Sequence, residues 1–195
     1  MDKQLIGILG PSTGGKSTLC DYVVSSDPST YVRIAFADYL KEEALRRGWS
    51  GRKDSEGRKF LQVLSEQLKQ DHGESVFYDV GVLKALTAPQ PVILFDDTRF
   101  QVEIAGLLSD HDGWVGSCFV LENIDAELKW EDSAFSTKDS DAWAWHRSEC
   151  EWRAFRDVVT RAFPAFVNDK NLGVEISGNR FYNHIQQHIQ QLAVL

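Results

Sequence analysis

A glycine-rich stretch near the start of the chain constrains its fold more than any other feature. Gly10, Gly15, Lys16 and Ser17 match the pattern G-x-x-x-x-G-K-[ST] of a phosphate-binding loop. Residues 5–9, just before it, are an apolar run with the length of a buried strand, and residues 17–24 are typical of the first turns of a helix. Strand, loop and helix therefore come in the order that such a loop requires.

The residue types of this stretch suit the binding of a nucleoside triphosphate. Glycines let the backbone bend closely around an anion, so that successive N–H groups and the positive end of the helix hold the β-phosphate. Lys16 is expected to bridge the β- and γ-phosphates, and the Ser17 hydroxyl to bind Mg²⁺. A chance glycine-rich turn at a helix start is the alternative, which the flanking strand and helix disfavour. The predicted nucleotide-binding residues are Gly10, Ser12, Thr13, Gly14, Gly15, Lys16, Ser17 and Thr18.

The composition limits the class of protein and of partner. With 195 residues, 43% of them hydrophobic and 26% charged, the chain is long and apolar enough for one globular α/β domain. We expect no membrane span and no signal peptide, since no apolar run has the necessary length. Three widely spaced cysteines fit a reducing cytoplasm without structural zinc. The net charge of −8 favours small-molecule partners over a large nucleic-acid surface, while a homodimer stays open.

Two carboxylates follow a second buried strand. Residues 91–95 are the apolar run, and Asp96 and Asp97 come directly after it. This is the form of a Walker B strand, whose acid binds Mg²⁺ directly or through water. Ser17, Asp96 and Asp97 are therefore the predicted metal ligands, and which of the two acids serves stays open. Arg99 begins the next helix, and Glu103, one turn later, is predicted to orient its guanidinium group.

A further acid, Asp38, follows the predicted strand at residues 31–36. Ligands of open α/β sheets bind at the carboxyl ends of the strands. Asp38 is therefore placed either as a general base for a hydroxyl acceptor or as the cap of the helix that follows. The two readings stay open.

The next helix is predicted to begin after a cap at Asp54 or Ser55 and has a basic start. Its neighbourhood contains Arg52, Lys53, Arg58 and Lys59. Each of these side chains, taken alone, is typical of a solvated helix start. As a group they are candidates to hold the phosphate of an acceptor. Another helix is predicted at residues 74–86.

The region after the strand at residues 113–121 is predicted to be a lid. Residues 122–145 lack periodicity and are rich in Asp, Ser, Lys and Trp. Beyond them, Arg147, Arg153 and Arg156 either reach a transferring phosphoryl group or lie on an exposed helix of mixed charge.

The last part of the chain is predicted to contain a short strand at residues 172–176 and a closing helix. His184 and His188 are spaced by one helical turn and could share a metal ion. With no nearby acid to complete such a site, we favour positions on the helix surface. Strand and helix thus alternate throughout, which predicts an α/β fold with a parallel sheet of about five strands and helices on both faces.

Four motifs in this order behind the loop resemble phage deoxynucleoside monophosphate kinases. They are Phe36-Ala-Asp-x-Leu-Lys41, Arg58-Lys-Phe-Leu-Gln62, Asp97-Thr-Arg99-Phe100 with Glu103, and His146-Arg-Ser-Glu149-x-Glu-Trp152. The resemblance implies one P-loop NTPase domain of the nucleoside monophosphate kinase type over residues 1–195. Residues 37–88 would be the acceptor-binding insertion and residues 122–160 the lid. It also implies a location in the cytoplasm, that of the host if a phage encodes the chain.

The resemblance further implies transfer of the γ-phosphoryl group of ATP with Mg²⁺. Lys16 and Ser17 would serve ATP and Mg²⁺, Arg58 and Arg99 would face the acceptor, and Asp97 would be the strand-end acid. The candidate catalytic residues are Lys16, Asp38, Arg58, Asp97 and Arg99, and Arg147 is a candidate nucleotide contact from the lid. The family commonly has an Arg-Pro pair where this chain has Val120-Leu-Glu-Asn-Ile, and the acceptor insertion is shorter here. Both differences bear on the acceptor.

Three functional hypotheses follow. The first is a deoxynucleoside monophosphate kinase of phage nucleotide metabolism. The second is a kinase for the hydroxyl group of a hydroxymethyl pyrimidine in phage DNA, in which Trp49, Trp143 and Trp145 would stack on a flipped base. The third is a nucleotide-binding switch or assembly ATPase.

Overall fold

The computed structural model describes residues 3–10, 14–109, 113–122, 158–159 and 161–192, which contain both strands and helices. The strands are β1 (Lys3–Leu9), β2 (Tyr31–Ile34), β3 (Val92–Phe95), β4 (Trp114–Glu122) and β5 (Ala165–Val167). The helices are α1 (Lys16–Ser26), α2 (Asp38–Arg46), α3 (Ser55–His72), α4 (Val76–Thr87), α5 (Gln101–Leu108) and α6 (Gly173–Leu192). None of these helices is long and apolar enough to cross a bilayer.

The five strands form one parallel sheet in the order β2-β3-β1-β4-β5. β1 lies at its centre, with Gly7 aligned between Phe95 of β3 and Cys118 of β4. The leucines and isoleucines of β1 are buried on both faces, as expected of a strand in the middle of a parallel sheet. The predicted α/β fold with about five parallel strands is confirmed.

Helices cover both faces of this sheet, as predicted. Successive residues of a strand face opposite sides, so Phe95 joins the core beneath α2, α3 and α4, whereas Leu94 joins the core beneath α1 and α6. On the first face, the ring of Phe36 stacks on that of Phe95 with centroids 4.3 Å apart. Gly81 lets α4 approach Phe36 closely, because a Cβ there would lie 2.6 Å from the ring. The turn after β2 is thereby packed against the end of β3.

The position of the last strand differs from the prediction. Residues 172–176 do not form a strand; they continue from a 3₁₀ turn into the start of α6, where Val174 and Ile176 are exposed. The strand is β5 instead, which pairs with the end of β4 and buries Phe166. Three residues at a sheet edge make too short a pattern to recognise, and the exposed apolar residues of the helix start resembled one.

The segment predicted as an acceptor insertion contains α2, α3 and α4. Asp54 is the cap of α3, as predicted, and its carboxylate accepts a hydrogen bond from the N–H of Gly57 at 2.9 Å. The function of this segment as an insertion stays a prediction. Most of the predicted lid, including Arg147, Arg153 and Arg156, lies outside the described residues.

His184 and His188 lie against the sheet, although the sequence favours the helix surface for both. The centroids of the His184 and His188 rings lie 5.2 Å and 4.5 Å from that of the Phe119 ring. The centroid of the His184 ring also lies 5.5 Å from that of Phe166. Both side chains are half-buried, so they are less exposed than expected of a surface helix, because α6 packs this side against β4 and β5. Burial lowers the pKa of both imidazoles, since a charged form is disfavoured away from water.

Lowering the pH from about 7.5 to about 5.5 should reduce the free energy of unfolding through these two histidines. The unfolded chain takes up protons near the ordinary imidazole pKa of about 6.5, whereas the folded chain takes them up at lower pH. Their stabilising contribution is thus present above about pH 6.5 and is lost as the pH falls below it. Denaturant unfolding of the wild type and of a His184→Gln/His188→Gln variant across this range measures the effect. The variant should lose part of the pH dependence, and equal slopes for the two proteins would contradict the prediction.

Candidate phosphate-binding site and strand-end acids

The phosphate-binding loop leaves β1 at the carboxyl edge of the sheet and leads into α1. Gly10 has a φ of 146°, and a Cβ at this position would lie 2.6 Å from the carbonyl oxygen of Leu121. Gly15 caps α1 in the left-handed region with a φ of 91°, and a Cβ there would lie 2.8 Å from Nδ2 of Asn168. Only glycine fits these two positions without a shift of the neighbouring atoms.

Lys16, the first residue of α1, is buried and reaches back over the loop. Its Nζ donates a hydrogen bond to the carbonyl oxygen of Gly10 at 2.8 Å, and only 5% of the residue is exposed. The ammonium group therefore lies beside Gly10, on the residue that begins α1, and anions are favoured at the N-terminus of a helix. Thr18, the third residue of α1, is exposed.

Asp96, the first residue after β3, lies beside Ser17 of α1. Its Oδ2 accepts a hydrogen bond from the Ser17 hydroxyl. The carboxylate is buried, and its Oδ1 has no hydrogen-bond partner among the described residues. Magnesium prefers carboxylate and hydroxyl oxygens, and a buried oxygen without a partner leaves a position for such an ion. Ser17 and Asp96 therefore fit the predicted Mg²⁺ site.

Asp97, the other predicted metal ligand, contacts the turn before α2. Its Oδ1 accepts a hydrogen bond from the N–H of Phe36 at 2.8 Å, and its Oδ2 accepts one from the N–H of Ala37 at 3.0 Å. Burial is the main cause that raises the pKa of Asp97, and the negative charge of Asp96 adds to it. Asp97 fastens the turn after β2 to the end of β3. Of the two acids, it is Asp96 that contacts Ser17.

Asp38 closes the turn between β2 and α2. Its Oδ2 accepts a hydrogen bond from the N–H of Ala35 at 3.0 Å, and its Oδ1 pairs with Nζ of Lys41 at 2.9 Å. Burial alone would raise the pKa of Asp38, but the hydrogen bonds from Lys41 and Ala35 outweigh it and hold the pKa below its ordinary value. α2 begins at Asp38 itself and has no side-chain cap, so the capping alternative is not what the structure contains. A role as general base stays a prediction.

Glu103 is buried beneath the loop that carries Arg99. Its Oε2 accepts hydrogen bonds from the N–H groups of Arg99 at 2.7 Å and Phe100 at 3.0 Å. These contacts make Glu103 a cap for the start of α5. Its predicted role in orienting the guanidinium group of Arg99 stays a prediction. Burial, and then the charge of Asp97, raises the pKa of Glu103 to about 8.

Two further residues contact this site, and the sequence did not predict either of them. Arg33 of β2 donates from Nη1 to Oδ2 of Asp96 at 2.8 Å and pairs through Nε with Asp21 of α1 at 2.8 Å. Asn168, just after β5, donates from Nδ2 to the carbonyl oxygen of Gly14 at 3.2 Å. The position of Arg33 as a charged residue in the otherwise apolar β2 could have marked it as a candidate site residue. Nothing local marks Asn168, because its position depends on the pairing of β5 with β4.

The residues predicted on the acceptor side are less closely connected to the loop. Arg58 and Lys59 are exposed on the first turn of α3, and no hydrogen bond joins Arg58 to another predicted site residue within the described chain. Trp49 is buried and donates its indole N–H to the carbonyl oxygen of Arg52 at 3.0 Å. The prediction that Trp49 stacks on a flipped base is therefore wrong, because its ring belongs to the core. Other predicted residues that lie outside the described ones are Ser12, Thr13, Trp143, Trp145, His146, Arg147 and Glu149.

Comparison with known proteins identifies the fold. No family model and no curated protein matches the chain. Among solved structures, it resembles a presumed kinase from Chloroflexus aurantiacus with a TM-score of 0.50 and 14% identity over 98% of both chains. Shikimate kinase from Bacteroides thetaiotaomicron has a TM-score of 0.46 and 11% identity over 93% of this chain and 98% of that one. Deoxyadenosine kinase from M. mycoides has a TM-score of 0.44 and 14% identity, and the match covers 94% of this chain and 99% of that one.

The chain matches the Chloroflexus aurantiacus protein over nearly its full length at a TM-score of 0.50. This match, the sheet order and the loop show a P-loop kinase fold. At 14% identity, the match shows the fold alone.

Replacing Asn168 by alanine should weaken the binding of a nucleoside triphosphate by about three- to tenfold, because the loss of one hydrogen bond loosens the loop. Equilibrium titration with a fluorescent ATP analogue measures the dissociation constant. Asn171→Ala, an exposed position in the same segment, is the matched control and should bind like the wild type. Equal affinities for both variants would contradict a role of Asn168 in ordering the loop.

Proposed function

We propose that this protein is a Mg²⁺-dependent phosphotransferase that transfers the γ-phosphoryl group of ATP to a deoxynucleoside monophosphate. The observation that carries the donor side is the arrangement of Lys16, Ser17 and Asp96 at the carboxyl edge of the sheet. They bring together an ammonium group, a hydroxyl group and a buried carboxylate with a free oxygen. These are the functional groups that phosphoryl transfer from a nucleoside triphosphate requires.

On the donor side, the N–H groups of the loop and the N-terminus of α1 would hold the phosphates. Lys16 would exchange its hydrogen bond with the carbonyl of Gly10 for one with phosphate oxygens. Ser17 and Asp96 would hold Mg²⁺, which would neutralise charge on the phosphates. The protein otherwise contributes positioning, which dominates catalysis of phosphoryl transfer.

The state of Asp38 favours a phosphate over a hydroxyl acceptor. A hydroxyl acceptor must lose a proton, and a carboxylate near it can take that proton. Both oxygens of Asp38 already accept hydrogen bonds, and its pKa lies below the ordinary value, which makes it a weak base. A monophosphate needs no base, because its attacking oxygen is already ionised.

Charge and the position of Trp49 also favour a free nucleotide over a base in DNA. The net charge of −8 repels a polyanion. Trp49 is buried and not available for stacking. In our proposal, Arg58 and Arg99 face the phosphate of the acceptor, since guanidinium groups bind phosphate through paired hydrogen bonds.

Radiolabel transfer from γ-labelled ATP tests this function. Deoxynucleoside monophosphates and duplex DNA with hydroxymethyl pyrimidines are offered in parallel, with and without Mg²⁺. Label should appear in a nucleoside diphosphate, and Lys16→Ala should reduce the rate by roughly a thousandfold, because a charge on the transferring group is no longer neutralised. Lys84→Ala, which breaks an ion pair with Glu42 at 2.6 Å on α4, is the control and should keep full activity. Label in DNA, or full activity of Lys16→Ala, would contradict the proposal.

Asp38→Asn distinguishes the two acceptor chemistries. With a phosphate acceptor, the rate should change by less than about tenfold, because asparagine keeps an acceptor for the N–H of Ala35. A fall of about 10² to 10⁴ would instead be the signature of a general base. Steady-state kinetics give the rate, and thermal unfolding of the same samples separates a loss of catalysis from a loss of folded protein.

A further inference from the structure

Arg33 has an unusual position for a residue of a sheet strand. It is the third residue of β2, an edge strand, and is aligned with Leu94 of β3. Its Nη1 donates to Oδ2 of Asp96 at 2.8 Å, and its Nε lies 2.8 Å from Oδ1 of Asp21 on α1. A planar guanidinium group can make two such bonds at once in a fixed geometry.

The two carboxylates that flank Arg33 differ in burial. The Asp96 side chain is 3% exposed, whereas that of Asp21 is 60% exposed. An exposed carboxylate is stabilised by water and gains little from an ion pair. A buried one is separated from water and depends on its hydrogen bonds or on a positive partner. The contact between Arg33 and Asp96 is therefore the one that matters energetically, and Asp21 holds the guanidinium group from the outer side.

The two oxygens of Asp96 are used differently. Oδ2 accepts from both Ser17 and Arg33, while Oδ1 is buried without a hydrogen-bond partner among the described residues. Oδ2 of this carboxylate is thus bound to the positive guanidinium group, and Oδ1 is left to bind a cation. A cation bound next to Asp96 would have Arg33 as a near positive neighbour.

We propose that Arg33 is a positioning residue and internal counter-ion for Asp96, which stabilises the buried carboxylate in the absence of a cation and lowers the affinity of the site for Mg²⁺. This inference rests on the proposed function of Ser17 and Asp96 as Mg²⁺ ligands. The physical reason is that Arg33 and Mg²⁺ are attracted to the same charge and repel each other across it. Arg33 thereby sets how easily the metal leaves with the nucleotide.

The test measures nucleotide binding as Mg²⁺ is titrated, with a fluorescent ATP analogue as probe. In Arg33→Met, half-maximal Mg²⁺-dependent binding should occur at roughly tenfold lower Mg²⁺ than in the wild type, because a repelling charge is removed. Arg33→Lys keeps that charge and should behave like the wild type. The matched control is Arg46→Met, which breaks an ion pair with Glu43 at 3.1 Å on α2 and should leave the titration unchanged.

A purely structural role of Arg33 predicts the opposite sign. If the guanidinium group only buttressed Asp96, its removal would disorder the ligand, and more Mg²⁺ would be needed. An unchanged or higher Mg²⁺ requirement in Arg33→Met therefore overturns the inference. Absence of Mg²⁺-dependent binding in the wild type would overturn the proposed function, and the inference with it.

Asp21→Asn gives a second measurement that does not depend on the folding of Arg33→Met. Asp21 is exposed, so its substitution should leave the fold intact. Arg33 would then pair with Asp96 alone, and the Mg²⁺ requirement should rise by about two- to fourfold, since a surface charge has a small effect. A lower requirement in this variant would also overturn the inference.

Discussion

The organisation of the strand ends depends on the burial of one carboxylate, that of Asp96. A buried charge is tolerated only with partners, and Asp96 receives partners from two elements. α1 contributes the hydroxyl of Ser17, and β2 contributes the guanidinium group of Arg33. These contacts fix the start of α1 against the end of β3. The loop between β1 and α1 is thereby connected to the acid that we propose as a Mg²⁺ ligand.

The two neighbouring acids after β3 have different partners because their side chains contact different elements. Asp96 contacts Ser17 of α1, and Asp97 contacts the N–H groups of Phe36 and Ala37 in the turn before α2. Turns that leave strand ends expose backbone N–H groups, which must find acceptors when buried. Asp97, Asp38 and Glu103 accept these bonds. One acid is thus left for a metal ion, and three stabilise the loops around it.

This distribution of carboxylates bears on the chemistry. Asp38, Asp97 and Glu103 are engaged by backbone N–H groups, and the buried Asp96 is held by Ser17 and Arg33. Such a site suits a reaction that needs positioning and charge neutralisation more than proton abstraction. Transfer between phosphates is a reaction of this kind, which is why the geometry is consistent with a nucleotide acceptor.

Local sequence patterns were sufficient where the signal lies within a few consecutive residues. The loop from Gly10 to Ser17, the buried run before Asp96 and the cap at Asp54 each belong to one strand, turn or helix, and their positions in the chain imply the parallel α/β fold. β5 was missed because three edge residues carry almost no pattern. The contacts of the α6 histidines were not predicted because the helix period alone does not say which side meets the sheet.

The partners of each polar group could be known only from the folded chain. Asp96 and Asp97 are adjacent and chemically alike, and what separates them is the packing of α1 on one face and of the β2 turn on the other. Arg33 reaches Asp96 across 63 positions of sequence, and Asn168 reaches Gly14 across 154. Hydrogen bonds between such distant residues are set by strand pairing and register. Short-range patterns contain no information about them, since side-chain type and spacing determine only the local conformation.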